Sequence, residues 1–176
     1  SVQADRYQAD LEALAVPRGH GGAGWQAAQD RCRSTFEALG YETTLHEFPT
    51  GTNVIGRKPG TASTGTIVVS AHYDSVAGCE GADDNASGVA GVLEVARVLA
   101  PGTFTEDLVL ACWDREEDGL VGSRAWVQQN TDPILMMWSF EMIGYTDDTP
   151  GSQSLPFGFD LVFPNQAAQV HANDDR

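Results

Sequence analysis

Hydrophobic and polar residues follow helical spacing at the start of the chain and extended spacing further on. Apolar residues recur roughly every three to four positions in residues 4–15 and 24–39, which predicts two helices. Gly40 follows the second segment and is typical of a helix C-terminus. The runs YETTLHEF and TNVIGRK are rich in β-prone residues and are separated by a turn with proline and glycine, so they predict a hairpin.

The middle of the chain alternates between apolar strands and helices. TGTIVVSAH and EDLVLACWD predict strands buried on both faces, and PILMMWSFEMIG predicts a third core strand. ASGVAGVLEVARVLA, with an apolar stripe from Val89 to Leu99, and GLVGSRAWVQQ predict helices between these strands. This order predicts an α/β fold with three layers, in which helices flank a central, mostly parallel but mixed sheet.

The chain after Thr146 carries weaker signals. TDDTPGSQSLP is the clearest predicted loop, and LVFPNQAAQVHANDDR predicts a strand followed by the beginning of a helix. Because 176 residues suffice for one substantial hydrophobic core, we expect residues 1–176 to form a single domain.

Composition narrows the range of partners. A formal net charge of -15 repels nucleic-acid phosphates and gives anionic lipids no hold. No stretch approaches the roughly 20 apolar residues of a membrane span, so we expect a soluble protein with neither kind of partner. Cys32, Cys79 and Cys112 lack a CxxC spacing, which leaves open one disulfide with a free thiol or three buried thiols.

Chemically active residues follow all three predicted core strands. His72 and Asp74 end the first, Glu116 and Glu117 follow the second, and Glu141 follows the third. Because the carboxyl ends of parallel strands meet at one edge of a sheet, we expect these side chains to converge there.

A histidine with several carboxylates is a ligand set suited to zinc. Two zinc ions about 3.5–4 Å apart need a bridging carboxylate, and Asp83 is the candidate. Asp74 is placed to accept the other N–H of the His72 ring. The adjacent glutamates Glu116 and Glu117 predict one ligand and one general base.

A calcium site is the alternative for the same stretch. Asp83, Asn85, Ser87 and Glu94 match an EF-hand loop letter by letter. An EF-hand needs a helix before its loop, whereas strand and glycine turn precede this one. The pattern therefore favours zinc.

Four motifs together resemble a known family. SAHYDS, GADDNASGVAGVLEVARVL, REEDGLVGSRAWV and FEMIGY are similar, in this order, to the zinc-dependent aminopeptidases with co-catalytic metals, of the bacterial leucyl aminopeptidase type. The resemblance implies a zinc-peptidase-like fold, two Zn²⁺ ions, and hydrolysis of the N-terminal residue of peptides that have a free N-terminus. It also implies export, hence a secreted or periplasmic location.

The resemblance assigns roles residue by residue. His72 binds one zinc, Asp83 bridges both, Glu117 binds the second, Glu116 is the general base and Asp74 orients His72. In the family the peptide bond after the bridging aspartate is typically cis, which here would be the Asp83–Asp84 bond.

Two departures follow from the comparison with the family pattern. Glu141 stands where many members have an aspartate ligand, and the last histidine ligand has no counterpart before Arg176. His171 lies in a predicted helix ahead of that place. We therefore expect an incomplete catalytic domain lacking the last strands and helix, poorly active alone, and a complementing C-terminal segment as a partner.

Two other functions stay open. One is a glutaminyl-cyclase-like enzyme with a single zinc, although the REED and FEMIGY contexts favour a peptidase. The other is an inactive, truncated domain that acts as a binding module.

Overall fold

The computed structural model describes residues 1–147, 149, 155 and 157–168. Contacts divide the chain into two compact units, Ser1–Gly144 and Tyr145–Arg176. The expectation of a single domain stays a prediction. The described elements of the first unit are α1 (Ala4–Leu14), α2 (Ala23–Ala38), β1 (Glu42–Phe48), β2 (Gly51–Lys58), β3 (Thr66–His72), α3 (Gly88–Leu99), β4 (Asp107–Trp113), α4 (Val121–Gln129) and β5 (Ile134–Ser139).

A mixed sheet forms the centre of the first unit. Its strand order among the described residues is β1-β2-β4-β3-β5. β3 runs parallel to both β4 and β5, while the hairpin β1-β2 adds to β4 in antiparallel orientation. This sheet, flanked by helices, confirms the predicted fold class.

Helices cover the sheet on two sides, as the apolar patterns predict. One buried cluster joins side chains of α2 and α3, including Phe36 and Leu93, to Leu110 of β4. A second cluster lies on the other face, where Trp126 of α4 packs on Trp113 with ring centroids 5.4 Å apart. The unit therefore has three layers. No helix in the described part of the chain is long and apolar enough to cross a bilayer.

Local sequence signals set the ends of several elements. Gly40 adopts a φ of +81° directly after α2, a backbone conformation that glycine reaches without strain. The amide of Tyr41 then donates to the Phe36 carbonyl and closes the helix end. All seven residues of β4 are buried, as its continuous apolar run predicts.

The prediction of β5 as a core strand is wrong in one respect. The strand forms, but all six of its residues are exposed. β5 is the last strand of the described sheet, so only β3 pairs with it. Burial of an apolar strand requires partners on both edges and faces, which sequence alone does not reveal.

The second unit contains the short helix α5 (Phe159–Val162). The predicted strand beginning at Leu161 is therefore wrong. Gly158, with a φ of +79°, starts the turn, and the side chains of Leu161 and Val162 are exposed without a partner strand among the described residues. Residues 164–168 are helical, as predicted. Most of the predicted loop TDDTPGSQSLP and His171 lie outside the described residues.

Candidate active site

The topology brings the chemically active residues to one edge of the sheet. His72 is the last residue of β3, Glu116 and Glu117 follow β4, and Glu141 follows β5. Nε2 of His72 lies 3.8 Å from Oε2 of Glu116 and 3.6 Å from Oε2 of Glu141. The carboxyl ends of three neighbouring parallel strands thus place an imidazole and carboxylates close together, as the sequence pattern predicts.

His72, Asp84 and Glu117 form a cluster of potential metal ligands among the described residues. Each offers one ligand atom, and these atoms all lie within 4.8 Å of one another. Nε2 of His72 is 3.0 Å from Oδ1 of Asp84. The imidazole is almost fully buried, whereas the Asp84 carboxylate is 43% exposed. One ring nitrogen with carboxylate oxygens is a donor set that zinc accepts, so these residues fit the ion.

Asp83 does not occupy the position predicted for it. Its Oδ1 accepts hydrogen bonds from Oγ of Ser87 at 3.0 Å and from the Gly144 amide at 2.7 Å. Asp84 stands opposite His72 instead. The backbone of Asp84 is extended within an irregular turn, with φ −101° and ψ 95°, and successive side chains of extended backbone point apart. The expected position of the cis peptide bond is also wrong: it joins Asp84 to Asn85 rather than Asp83 to Asp84, so it follows the aspartate that faces His72.

Asp74 connects the imidazole to the loop that carries the two glutamates. Its Oδ1 lies 3.4 Å from Nδ1 of His72, and its backbone oxygen lies 3.2 Å from the same nitrogen. The carboxylate also accepts the amide N–H groups of Glu116 at 3.1 Å and Glu117 at 3.2 Å. One buried carboxylate thereby links the ends of β3 and β4.

The two adjacent glutamates have different surroundings. Oε2 of Glu116 faces the ring of His72, while Oε1 of Glu117 accepts the amide N–H of Val76 at 3.1 Å. Arg115, just before them, has a φ of +58°, which turns the chain sharply at the end of β4. The pair is therefore split between two sides of the site.

Asn85, a candidate ligand only in the calcium-loop alternative, also contacts residues of the site. Its Nδ2 donates to Oε2 of Glu141 at 3.1 Å and to the Phe140 carbonyl at 2.9 Å. Its Oδ1 accepts the Gly88 amide at 3.0 Å, at the start of α3. Its place just before the predicted apolar helix was the available signal, because asparagine favours the start of helices.

Charges within the cluster shift the acid constants. Burial by itself lowers the pKa of His72, but the hydrogen bond and charge of Asp74, with Glu141 and Glu116, raise this pKa to about 9. Burial raises the pKa of Glu117, and the charge of Asp84 raises it further. The pKa of Glu141 is raised by the same two causes, against an opposing effect of His72. Crowded carboxylates of this kind favour a bound cation.

Two cavities open at the cluster. One, of about 240 Å³, is lined by His72, Glu116 and Glu141. The other, of about 790 Å³, is lined by Asp74 and Glu117. Glu116 and Glu117 therefore border different cavities.

The calcium-loop alternative does not match the geometry. An EF-hand requires Glu94 to share a loop with Asp83. The carboxylate of Glu94 instead accepts hydrogen bonds from the Gln3 amide at 2.7 Å and from Nη2 of Arg6 at 2.6 Å. These contacts belong to the packing of α1 on α3.

The fold and the cluster define an α/β domain with a group of potential metal ligands at the carboxyl ends of its parallel strands. The family model described as peptidase family M28 matches residues 53–172. The chain belongs to this family.

Curated relatives include a leupeptin-inactivating enzyme and two proteins named as aminopeptidases. Leupeptin-inactivating enzyme 1 of Streptomyces exfoliatus is 35% identical over 137 residues, which is 72% of this chain and 31% of the relative. Leucine aminopeptidase 2 of Trichophyton rubrum is 34% identical over 57% of this chain and 21% of its own length. The probable lipoprotein aminopeptidase LpqL of Mycobacterium tuberculosis is 37% identical over 59% of this chain and 23% of its own length. The chain thus spans about a third or less of these relatives.

Solved structures share the fold. The LapA aminopeptidase of Legionella pneumophila matches with a TM-score of 0.77 at 23% identity, over 84% of this chain and 45% of that chain. A Zn-dependent exopeptidase of Parabacteroides distasonis matches with a TM-score of 0.69 at 19% identity, over 83% of this chain and 63% of that chain. A glutaminyl cyclase of Bacteroides thetaiotaomicron also has a TM-score of 0.69 at 19% identity, over 97% of this chain and 71% of that chain.

Proposed function

We propose that this chain carries the catalytic face of a zinc-dependent aminopeptidase, which removes the N-terminal residue of peptides. The observation that carries the proposal is the cluster of His72, Asp84 and Glu117 at the strand ends, in a chain of peptidase family M28. Relatives named leucine aminopeptidase support the exopeptidase class.

In this proposal four side chains hold two zinc ions. His72 and Glu141 would hold the first ion, Glu117 would hold the second, and Asp84 would serve both. The 3.0 Å separation of His72 and Asp84 and the 3.6 Å separation of His72 and Glu141 support the first group. Zinc bound here would supply a Lewis acid that polarises the peptide carbonyl and acidifies water.

Glu116 is the proposed general base. Its carboxylate is about a third exposed, so water and substrate can reach it, and it borders the same cavity as His72 and Glu141. Glu116 takes a proton from the attacking water and passes it to the leaving amine. Asp74 keeps Glu116 near the imidazole by accepting its amide N–H, and it orients the His72 ring.

The substrates in this proposal are peptides with a free N-terminal amine. The net charge of -15 favours a cationic amine over a phosphate-bearing partner. A secreted or periplasmic location is part of the proposal, supported by a relative named as a probable lipoprotein aminopeptidase. 

Glutaminyl cyclisation is the second candidate function. A glutaminyl cyclase structure matches over 97% of this chain. Under this alternative the site holds one zinc and cyclises an N-terminal glutamine without cleaving a peptide bond. The adjacent pair Glu116 and Glu117 favours the peptidase, because it provides a base beside a ligand.

Metal content and product analysis test the proposal together. The purified chain is loaded with zinc, its zinc is counted by elemental analysis, and it is assayed with leucine p-nitroanilide and with a peptide that begins with glutamine. Two zinc ions and release of nitroaniline support the aminopeptidase. One zinc with a cyclised peptide supports the cyclase, and zinc binding without either product supports a binding module.

A further inference from the structure

Arg18, in the segment between α1 and α2, is a fully buried arginine. No carboxylate of the described residues lies within ion-pair distance of its guanidinium. All the hydrogen bonds of this side chain go instead to backbone carbonyls. A buried guanidinium is costly unless its donors are satisfied, so this set of acceptors is a built feature of the fold.

The acceptors come from three separate segments. Nη1 donates to the carbonyls of Leu14, the last residue of α1, and Val16, two residues further on. Nε donates to the Tyr73 carbonyl at 2.8 Å, directly after β3. Nη1 and Nη2 also donate to the carbonyls of Glu80 at 2.8 Å and Gly81 at 2.9 Å. One side chain thereby ties α1 to both ends of residues 73–81.

These two ends adjoin the candidate metal ligands. Tyr73 follows His72, and Gly81 lies three positions before Asp84. The Gly81 carbonyl also accepts the Ala86 amide at 3.1 Å, which joins the same point to the turn that carries Asp84. The position of Asp84 relative to His72 therefore depends on how the segment between them is closed.

The backbone of Arg18 adds two contacts to the same segment. Its amide donates to Oγ of Ser75 at 2.9 Å, and its carbonyl accepts the Ser75 amide at 3.3 Å. Ordering a loop costs conformational entropy for each fixed residue. Multiple bonds from one rigid group offset that cost before any metal binds.

The charge of Arg18 acts in the same direction. Burial lowers the pKa of its guanidinium, and the charges of Asp74 and Asp84 raise it. An arginine stays ionised in proteins. Its buried positive charge thus attracts two of the carboxylates that otherwise repel one another at the site.

We propose that Arg18 is a positioning residue for the candidate metal centre, holding both ends of residues 73–81 so that Asp84 stands opposite His72 before metal binds. The part that concerns metal rests on the proposed function. The part that concerns loop closure does not.

Arginine suits this role better than lysine. Its planar group presents five donors in fixed directions, whereas the lysine ammonium is a single point of charge. A lysine at position 18 keeps the charge and most of the aliphatic stem but cannot bond Tyr73, Glu80 and Gly81 at once. Charge and closure are therefore separable by substitution.

The test compares Arg18→Met and Arg18→Lys with the wild type and with Asp10→Asn. Asp10 is also buried, and it pairs with Arg31 and Arg97 on the packing surface of α1. Asp10→Asn therefore weakens a buried charged group without touching residues 73–81. Two quantities are measured: amide hydrogen exchange of residues 73–84 in the metal-free protein, and zinc affinity by calorimetry.

We expect both Arg18 variants to exchange the amides of residues 73–84 roughly tenfold faster or more, with β4 still protected. We expect their zinc binding to weaken roughly 10- to 100-fold. Asp10→Asn should lower the melting temperature and leave both quantities near wild type. Arg18→Lys keeps the test valid if the methionine variant does not fold.

The proposal fails if the Arg18 variants change exchange in residues 73–84 no more than Asp10→Asn does. It also fails in its metal part if exchange accelerates while zinc affinity stays at the wild-type value. A wild-type chain that binds no zinc would instead contradict the proposed function. Loop closure by Arg18 would then still stand or fall on the exchange data.

Discussion

Nε2 of His72 lies 3.0 Å from Oδ1 of Asp84, although one residue ends a strand and the other lies in the turn before α3. The ring is almost fully buried and the carboxylate is partly open to solvent. A cation that binds both atoms would therefore enter from the solvent side of Asp84. This 3.0 Å distance is the reason that the proposed site uses Asp84 rather than its neighbour Asp83.

The two adjacent aspartates should respond differently to the same substitution. We expect Asp84→Asn to weaken zinc binding by a factor of roughly 10 to 100 or more, because it removes a charged oxygen beside His72. Asp83→Asn should leave zinc affinity close to wild type, because Asp83 bonds Ser87 and Gly144 instead. Calorimetric titration of both variants with zinc measures the difference. Equal losses would contradict the assignment of Asp84.

The two adjacent glutamates should separate catalysis from metal binding. We expect Glu116→Gln to keep its zinc and lose turnover roughly 10²- to 10⁴-fold, because the amide cannot accept the proton. Glu117→Gln should lose zinc, since its carboxylate belongs to the ligand cluster. Elemental analysis and kcat with leucine p-nitroanilide are measured on both variants. A Glu116→Gln variant with wild-type kcat would rule out the proposed base.

Acid should remove a stabilising contribution made by Asp107. The Gly60 amide and the Arg57 guanidinium hold the pKa of this carboxyl below its ordinary value of 3.8. The pKa of Asp107 is lower in the folded protein than in the unfolded chain. Its contribution to the free energy of unfolding is therefore complete when the pH is above the unfolded pKa, and it disappears as the pH falls through the folded pKa. Asp107→Asn should cost about 1–3 kcal/mol at pH 7, because the Gly60 and Arg57 donors lose a charged acceptor. 

The measurement is the urea denaturation midpoint of Asp107→Asn and wild type at pH 7 and pH 3. We expect the difference between the two proteins to shrink at pH 3. Asp132→Asn is the matched control, because Asp132 also pairs with Arg57, at 3.3 Å, but its side chain is 45% exposed. Its midpoint should stay near wild type at both pH values, as exposed pairs contribute little.

The thiols should react in two classes. The structure has three free cysteines, and Cys79 is exposed while Cys32 and Cys112 are buried, so neither arrangement left open by the sequence applies. Burial, together with the neighbouring Cys32, raises the pKa of the Cys112 thiol. We expect one rapid equivalent with a disulfide reagent and two more after denaturation. Cys79→Ser should abolish the rapid equivalent, and two rapid equivalents in the native protein would contradict the packing of Cys32 and Cys112.

Local patterns of apolar residues predict much of this fold. The runs that become β3 and β4 are continuous and apolar, so burial on both faces follows from composition alone. Because consecutive parallel strands expose their carboxyl ends on one edge, the convergence of His72, Glu116 and Glu141 also follows. This part of the site required only local signals and a general rule of sheet topology.

Features that depend on distant contacts escape the sequence. Asp83 and Asp84 are chemically identical neighbours, and only the backbone path of the turn decides which one meets His72. Asn85 gains its importance from Glu141, and Arg18 from the carbonyls of residues 73–81, both across long sequence separations. Burial of β5 likewise depends on neighbouring elements rather than on its own apolar composition.

The unpaired edge of β5 in the described sheet is expected to promote association in concentrated solution. Side chains such as Leu135 and Trp138 remain about half exposed on a strand whose outer edge has no partner in the described sheet. Such a strand is a template onto which another polypeptide can add. Concentrated samples should therefore scatter light increasingly on warming, because hydrophobic attraction strengthens with temperature. Cold, dilute handling is the practical remedy.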